Sequence, residues 1–150
     1  ALREHPDAFT SSFEEEQGRP LAWAEARLRP DPARPHDLFL GAFEGETLAG
    51  VVGLQGRYRP KERHNATVVG MYVVPEAAGR GVGRALMNEL LARSRALPDL
   101  AQLDLTVTEG NHAAQALYAG CGFTDFGRQP NAIRLDGREF TKLHLMLRLR

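Results

Sequence analysis

Apolar positions along the chain change their spacing near residue 38. Before it, Phe13, Leu21, Trp23 and Leu28 can share one inward stripe, which predicts helical material from Ala1 to about His5 and from Phe13 to Leu28. The proline-rich stretch Arg29 to Pro35 then reads as a loop. Beyond it, Leu38 to Phe43 and Thr47 to Leu54 flank Glu44-Gly45-Glu46 and predict an antiparallel hairpin. The valine-rich run from Asn65 to Val74 predicts a third strand that ends at Pro75. Gly79, Gly81 and Gly83 lead into a helix on which Val82, Leu86 and Leu90 recur at helical spacing, stopped by Pro98-Asp99. Leu103 to Thr108 alternates with period two, as a strand with one buried face does. Asn111 suits the N-cap of a short helix through Ala113, Ala114, Leu117 and Tyr118, which Gly120 or Gly122 can end. The tail from Phe126 to Leu149 predicts a second hairpin about Asp136-Gly137, with Leu143, Leu145, Leu147 and Leu149 alternating. This order predicts an α/β fold around one sheet.

No repeat or linker interrupts these elements, and 150 residues suit one hydrophobic core, so one domain over residues 1–150 is expected. With 43% hydrophobic and 25% charged residues the composition is that of a globular protein. No apolar run reaches the roughly 20 residues that span a bilayer. The 19 basic and 19 acidic side chains cancel, which speaks against a nucleic-acid or anionic-membrane surface, so any anion site must be local. A single cysteine, Cys121, excludes an internal disulfide and reads as a small packing residue. With no leader before the first motif, a cytoplasmic location is expected. Five scattered histidines lack metal-ligand spacing, so no metal is expected.

The stretch Val73-Val-Pro-Glu-Ala-Ala-Gly79-Arg-Gly81-Val-Gly83-Arg-Ala-Leu86 carries the chemistry. A strand running through a glycine turn into a helix N-terminus leaves backbone N–H groups beside the positive end of the helix dipole, ready for an anion. Glycine lets phosphate oxygens approach without a Cβ in the way. A Gly-Lys-Ser/Thr ending is absent and the dinucleotide fingerprint is incomplete, which argues against a Walker loop and a Rossmann turn. A glycine start serving only close packing is the bland alternative.

One strand later comes Thr106-Val-Thr-Glu-Gly-Asn111-His-Ala-Ala114-Gln-Ala-Leu-Tyr118-Ala-Gly-Cys-Gly122-Phe123, which puts two helix starts on one edge of the sheet. Taken together, from about Leu38 to Leu149, these motifs resemble the GNAT superfamily of acyl-CoA-dependent N-acetyltransferases. The resemblance implies a mixed central sheet, splayed between its two central parallel strands and flanked by helices on both faces. It implies the pyrophosphate of acetyl-CoA on the loop Gly79, Arg80, Gly81, Val82, Gly83, Arg84 and Ala85. It further implies a pantetheine arm lying like a false strand beside Met71, Tyr72, Val73 and Val74, with the Val73 backbone polarising the thioester carbonyl. Asn111 and Ala114 would contact the arm, and Tyr118 would sit near the sulfur. Two departures stand out. Ala78 occupies a position where the family commonly has Gln or Arg, which leaves the diphosphate to backbone amides with Arg80 or Arg84. With a helix predicted from Ala1, the family's usual first strand is expected to be absent from the residues ahead of it.

Attack of an amine on a thioester needs a deprotonated nucleophile, a donor for the oxyanion and a proton for the departing sulfur. Tyr118 is the expected acid, with an interior packing tyrosine as its alternative. Glu109, at the end of a central strand, and His64, just before the third strand, are the candidate bases, each against the reading of a solvated loop residue; a water chain could replace both. The expected partners are acetyl-CoA and an amine-bearing acceptor, either a small amine or amino-acid-like molecule or a protein N-terminus or lysine. Acceptor pockets would form around Phe9 to Glu16 and Asn131 to Phe140. Glu14 to Glu16 reads first as a solvated helix face. Rival readings are an acyl-CoA sensor without turnover and a nucleotide-binding regulatory domain. A homodimer is left open, because a missing strand would expose a sheet edge for a second copy to cover.

Overall fold

The computed structural model describes residues 28 to 150. The helical stretches expected before Leu28, the acidic run Glu14 to Glu16, the acceptor-pocket residues from Phe9 and the expectation about the family's first strand lie outside the described residues.

Six strands form one mixed sheet in the order β1-β2-β3-β4-β6-β5. They are β1 (Leu38–Glu44), β2 (Thr47–Gly56), β3 (Asn65–Val73), β4 (Gln102–Thr108), β5 (Thr124–Leu135) and β6 (Arg138–Arg148). Helix α1 (Val82–Ala96) connects β3 to β4, and α2 (His112–Gly120) follows β4. Both hairpins turn where the sequence expects. At the second, Asp136 and Gly137 take φ values of 48° and 75°, the two successive positive angles of the turn that matches strand twist.

The alternating leucines explain the core. Leu103, Leu105 and Val107 of β4 stand opposite Leu147, Leu145 and Leu143 of β6, and all six belong to or pack against one apolar cluster. Leu86, Met87, Leu90 and Leu91 of α1 and Tyr118 of α2 complete that cluster, so both helices cover the same face of the sheet. Burying this face supplies the stability that short strands and a nine-residue helix lack alone. Ser94 is sealed within it because its hydroxyl donates to the Leu90 carbonyl at 2.8 Å.

The feature that positions the site is the junction of β3 and β4. These parallel strands share only three register pairs, Asn65↔Gln102, Ala66↔Leu103 and Thr67↔Asp104. Beyond them β3 continues to Val73 and β4 to Thr108 without pairing to each other. On its other side β3 stays bonded to β2, but with an irregularity. Val51 faces Tyr72 and Gly53 faces Val69, so Val52 alone opposes Gly70 and Met71. Gly70 adopts φ 63°, and the extra residue bends β3 just above the last pair with β4. The predicted splay between the central parallel strands is therefore present.

Candidate active site

Between β3 and β4 lies a wedge whose walls are strand backbone. The facing edges of β3 beyond Thr67 and of β4 beyond Asp104 form no ladder with each other, so the two strands diverge there. Met71, Tyr72 and Val73, which the sequence reading set beside a pantetheine arm, lie on the part of β3 that does not pair with β4, and Val74 follows it. Val74 N–H is spent on the Ala49 carbonyl at 2.8 Å, which fixes the top of β3 to β2.

At the mouth of the wedge the chain makes a short 3-10 turn, Pro75–Ala77, and then passes Gly79 and Gly81 at φ 74° and 82°. A Cβ at either glycine would meet nothing within 4 Å, so these two are needed for backbone conformation and not for packing. The first regular helical bond of α1 runs from Ala85 N–H to the Gly81 carbonyl at 3.0 Å. The amides of Val82, Gly83 and Arg84 therefore point out of the first turn, where the helix dipole is positive. Gly83 differs from its neighbours. A Cβ there would lie 3.2 Å from Leu117 Cδ2 and 3.6 Å from Val73 Cγ2. Its missing side chain lets α1 start tight against α2 and the last residue of β3, which brings the amide cluster to the wedge.

The arginines of the loop are occupied. Arg84 donates to the Gly120 carbonyl at 2.8 Å and approaches Cys121 Sγ at 3.8 Å, tying the start of α1 to the end of α2. Arg80 pairs with Glu44 at the end of β1. An anion at this mouth is thus met first by backbone amides.

Helix α2 follows β4 at the same end of the sheet. Asn111 caps it, its Oδ1 accepting from Ala114 N–H at 3.3 Å, which leaves the side-chain Nδ2 for another acceptor. Tyr118, 6% exposed, meets Phe123 edge to face with centroids 6.1 Å apart. Burial first, and the nearby Cys121 second, push the Tyr118 phenol up to about 12. The Cys121 thiol is itself pushed up by burial, partly offset by Arg84.

Of the two candidate bases, one stays near this mouth and one does not. Glu109 follows β4, with its N–H on the Thr141 carbonyl at 2.8 Å and its carboxylate paired with Arg128 of β5. His64 lies at the opposite end of the sheet. Its carbonyl accepts from Ala101 and Gln102 at 2.9 and 3.1 Å, and its ring stands 3.1 Å from Asn65 Nδ2. All of β3 lies between His64 and Val73, at about 3.3 Å per residue. The third strand begins after it and runs away from it, so adjacency in sequence became separation in space.

Reading the sequence missed the root of the wedge. Thr67 Oγ1 donates to Asp104 Oδ1 at 2.7 Å, and Arg57 pairs with the other oxygen of Asp104. Arg57 Nη2 also reaches Thr67 Oγ1 at 3.4 Å. Two pairs below, on the same face, Gln102 Nε2 donates to Asn65 Oδ1 at 3.2 Å. The available signal was Gly70 inside a valine-rich strand, the mark of a bulge; Asp104 between two leucines looked only like the wet side of a strand. Among the described residues no group of His, Cys, Asp and Glu could hold a metal ion, and no helix is long and apolar enough to cross a membrane.

Residues 2–123 match the acetyltransferase (GNAT) family. The chain is 35% identical over 119 residues to the N-alpha-acetyltransferase RimI of Mycobacterium tuberculosis, covering 78% of this chain and 71% of that protein. It is 37% identical over 126 residues to the phosphinothricin N-acetyltransferase of Alcaligenes faecalis, covering 82% of this chain and 61% of that one. In fold it is similar to a GNAT superfamily phosphinothricin acetyltransferase from Sinorhizobium meliloti solved with acetyl-CoA, at TM-score 0.68 and 24% identity over 75% of this chain and 60% of that one.

Proposed function

The chain belongs to the GNAT family of acetyltransferases, and from that premise we propose that it transfers the acetyl group of acetyl-CoA directly to a primary amine of a small-molecule or amino-acid-like acceptor. One observation carries this reading. The wedge between β3 and β4 opens onto the outward amides at the start of α1, and α2, which carries the buried Tyr118, follows β4 at the same end of the sheet. A long ligand with a diphosphate at one end and a thioester at the other suits that arrangement.

In the proposed step the neutral amine nitrogen forms a bond to the thioester carbon. The carbonyl oxygen becomes an oxyanion that the Val73 N–H would stabilise, and the carbon–sulfur bond breaks to release the CoA thiolate. The amine's surplus proton leaves to water, or to Glu109 once it is freed from Arg128. Tyr118, with its phenol at about 12, holds its proton through the neutral range. Complete transfer to a thiolate of pKa about 8.5 would be uphill by about 5 kcal/mol, so Tyr118 acts on the departing sulfur chiefly as a hydrogen-bond donor. Asn111 Nδ2 and the β3 edge would hold the arm, and the loop from Gly79 to Ala85 the diphosphate.

Release of free thiol from acetyl-CoA, followed against a panel of amines, tests this function. Amine-stimulated release is expected; acetyl-CoA binding without stimulation by any amine between pH 6 and 9 would favour a sensor, and ATP binding in place of CoA a nucleotide-binding domain. A protein N-terminus is the second acceptor to include, because a relative is named an N-alpha-acetyltransferase. Peptides turned over faster than free amino acids would select that reading. For the base, the pH–rate profile of Glu109→Gln decides: loss of the acidic limb assigns Glu109, and an unchanged profile leaves the proton to water.

A further inference from the structure

Helix α2 carries Tyr118 in its last turn, where the carbonyls of residues 117–120 run out of regular helical partners. Three of the four are satisfied close by. Leu117 and Tyr118 accept from Cys121 N–H at 3.1 and 3.0 Å, Tyr118 also from Phe123 N–H at 3.0 Å, and Ala119 from Gly122 N–H at 3.0 Å. The fourth, Gly120, accepts from Arg84 Nη1 at 2.8 Å, across from the first turn of α1. Charge agrees with this bond, because α2 has no basic residue in its own last turn and the guanidinium supplies the cation that its negative end favours. A missing side chain makes the room: a Cβ on Gly120 would run into the guanidinium, with Cζ at 3.2 Å. Gly120 is helical and not at positive φ, so backbone conformation does not demand glycine there. Beside it, a Cβ on Gly83 would lie 3.2 Å from Leu117 Cδ2. The first turn of α1 therefore does two things at once. Its amides point outward for an anion, while Gly83 and Arg84 hold the last turn of α2.

On the acyl-transfer reading above, the diphosphate rests on those amides and Tyr118 serves the departing sulfur. We propose that Arg84 is a positioning residue: its side chain is not a ligand of the diphosphate but fixes the last turn of α2 to the diphosphate loop, and so holds Tyr118 in place for the bound thioester. Moving the guanidinium off Gly120 therefore lowers turnover through Tyr118 and leaves the affinity for CoA alone.

Two variants move the guanidinium by different means. Arg84→Met removes it and keeps the apolar stem; Gly120→Ala keeps Arg84 but puts a methyl where its guanidinium lies, in exchange for a better helix former. In both, kcat with acetyl-CoA should fall about fivefold or more while the Kd of unacylated CoA stays within about twofold. In a Tyr118→Phe background the same changes should lower kcat by less than about twofold, because the residue through which they act has already lost its donor. Arg150→Gln is the control for general loosening: it frees the carbonyls of Arg95, Leu97 and Leu100 beyond the other end of α1, and kcat should hold. Unchanged kcat in Gly120→Ala would overturn the proposal, as would the full fall persisting in Tyr118→Phe or an equal fall in Arg150→Gln. A CoA Kd raised about tenfold in Arg84→Met at unchanged kcat would overturn it too, by making Arg84 a ligand of the diphosphate. If wild type turns over no acyl-CoA, or Tyr118→Phe alone turns over normally, the acyl-transfer reading or the role of Tyr118 fails separately. The tie is then judged by amide hydrogen exchange of residues 117–120 with 3′-phospho-ADP, the head of CoA without its arm. Slowing in wild type that is lost in Gly120→Ala supports the tie, and equal slowing in both, or none in wild type, overturns it. Should Arg84→Met not fold, Gly120→Ala carries the comparison.

Discussion

The lower and upper halves of the β3–β4 junction are built on opposite terms. Below Thr67, backbone pairing, buried apolar contacts on one face and side-chain bonds on the other coincide at the same three positions. Above it, β3 carries a glycine at positive φ and a bulge, β4 faces β3 without a bond, and the chain leaves through two more left-handed glycines with empty space around them. The root is satisfied and the mouth is not. A binding site for an extended molecule needs that contrast, because backbone groups already paired have nothing to offer, while unpaired ones need a rigid base to hold them apart.

Substitutions should separate the two halves by what they damage. The largest effect is expected at the root, where Leu103 is fully buried beside the Ala66 pair. Leu103→Ala should cost about 2–5 kcal/mol of stability in denaturant titration, through lost burial and the cavity left behind. Next comes Tyr118→Phe, which removes one donor and leaves the ring packed on Phe123. Turnover should fall about tenfold to a hundredfold, worth roughly 1.4–2.7 kcal/mol, with acetyl-CoA affinity spared; unchanged turnover would make Tyr118 a packing residue. Because its phenol titrates near 12, the variant should keep the wild-type pH–rate shape between pH 6 and 9. The sign for stability follows from the same shift. A phenol whose folded pKa lies above its unfolded value contributes stability that is complete below pH 10 and is lost as pH rises from 10 through 12. Tyr118→Phe should lose less stability than wild type over that range.

At the mouth the expected cost is smaller and of a different kind. Gly81→Ala forces a side chain into φ 82° where nothing would touch it, so the penalty is purely conformational, about 1–2 kcal/mol. The loop can relax instead by moving its amides, and acetyl-CoA affinity should then fall while the melting temperature barely changes. Affinity held constant together with a lowered melting temperature would make Gly81 a folding residue and erase the contrast between root and mouth.

What could be read from the sequence divides along the same line. Elements with strong periodicity or a definite turn residue were legible: the α1 stripe of Val82, Leu86 and Leu90, the leucine alternation of β6 and the Asp136-Gly137 turn all report local geometry. Gly79 and Gly81 were legible because positive φ selects glycine locally. The splay came from the family resemblance and not from periodicity, since which neighbour a strand edge lacks is a non-local fact. The cluster at the root was illegible for the same reason. Arg57, Thr67 and Asp104 lie far apart in the chain, and each alone is an ordinary strand or loop residue. His64 shows the converse, a residue adjacent in sequence to β3 that lies at the end of that strand away from the glycine loop.

The smallest expected effect probes Asn111, the one residue of the mouth that has both a folding duty and a proposed binding duty. Its Oδ1 caps α2 on Ala114 N–H, and serine can do the same, so Asn111→Ser should shift stability by only a few tenths of a kcal/mol. Asn111→Ala, which loses the cap, should cost about 1 kcal/mol. Neither variant retains the Nδ2 donor. If that amide holds the pantetheine arm, both should weaken acetyl-CoA binding equally, by about 0.5–1.5 kcal/mol for one neutral hydrogen bond, although their melting temperatures differ. Should affinity instead follow melting temperature, falling in Asn111→Ala and holding in Asn111→Ser, Asn111 would belong with the satisfied root and the unpaired surface of the mouth would shrink to the glycine loop and the strand edges.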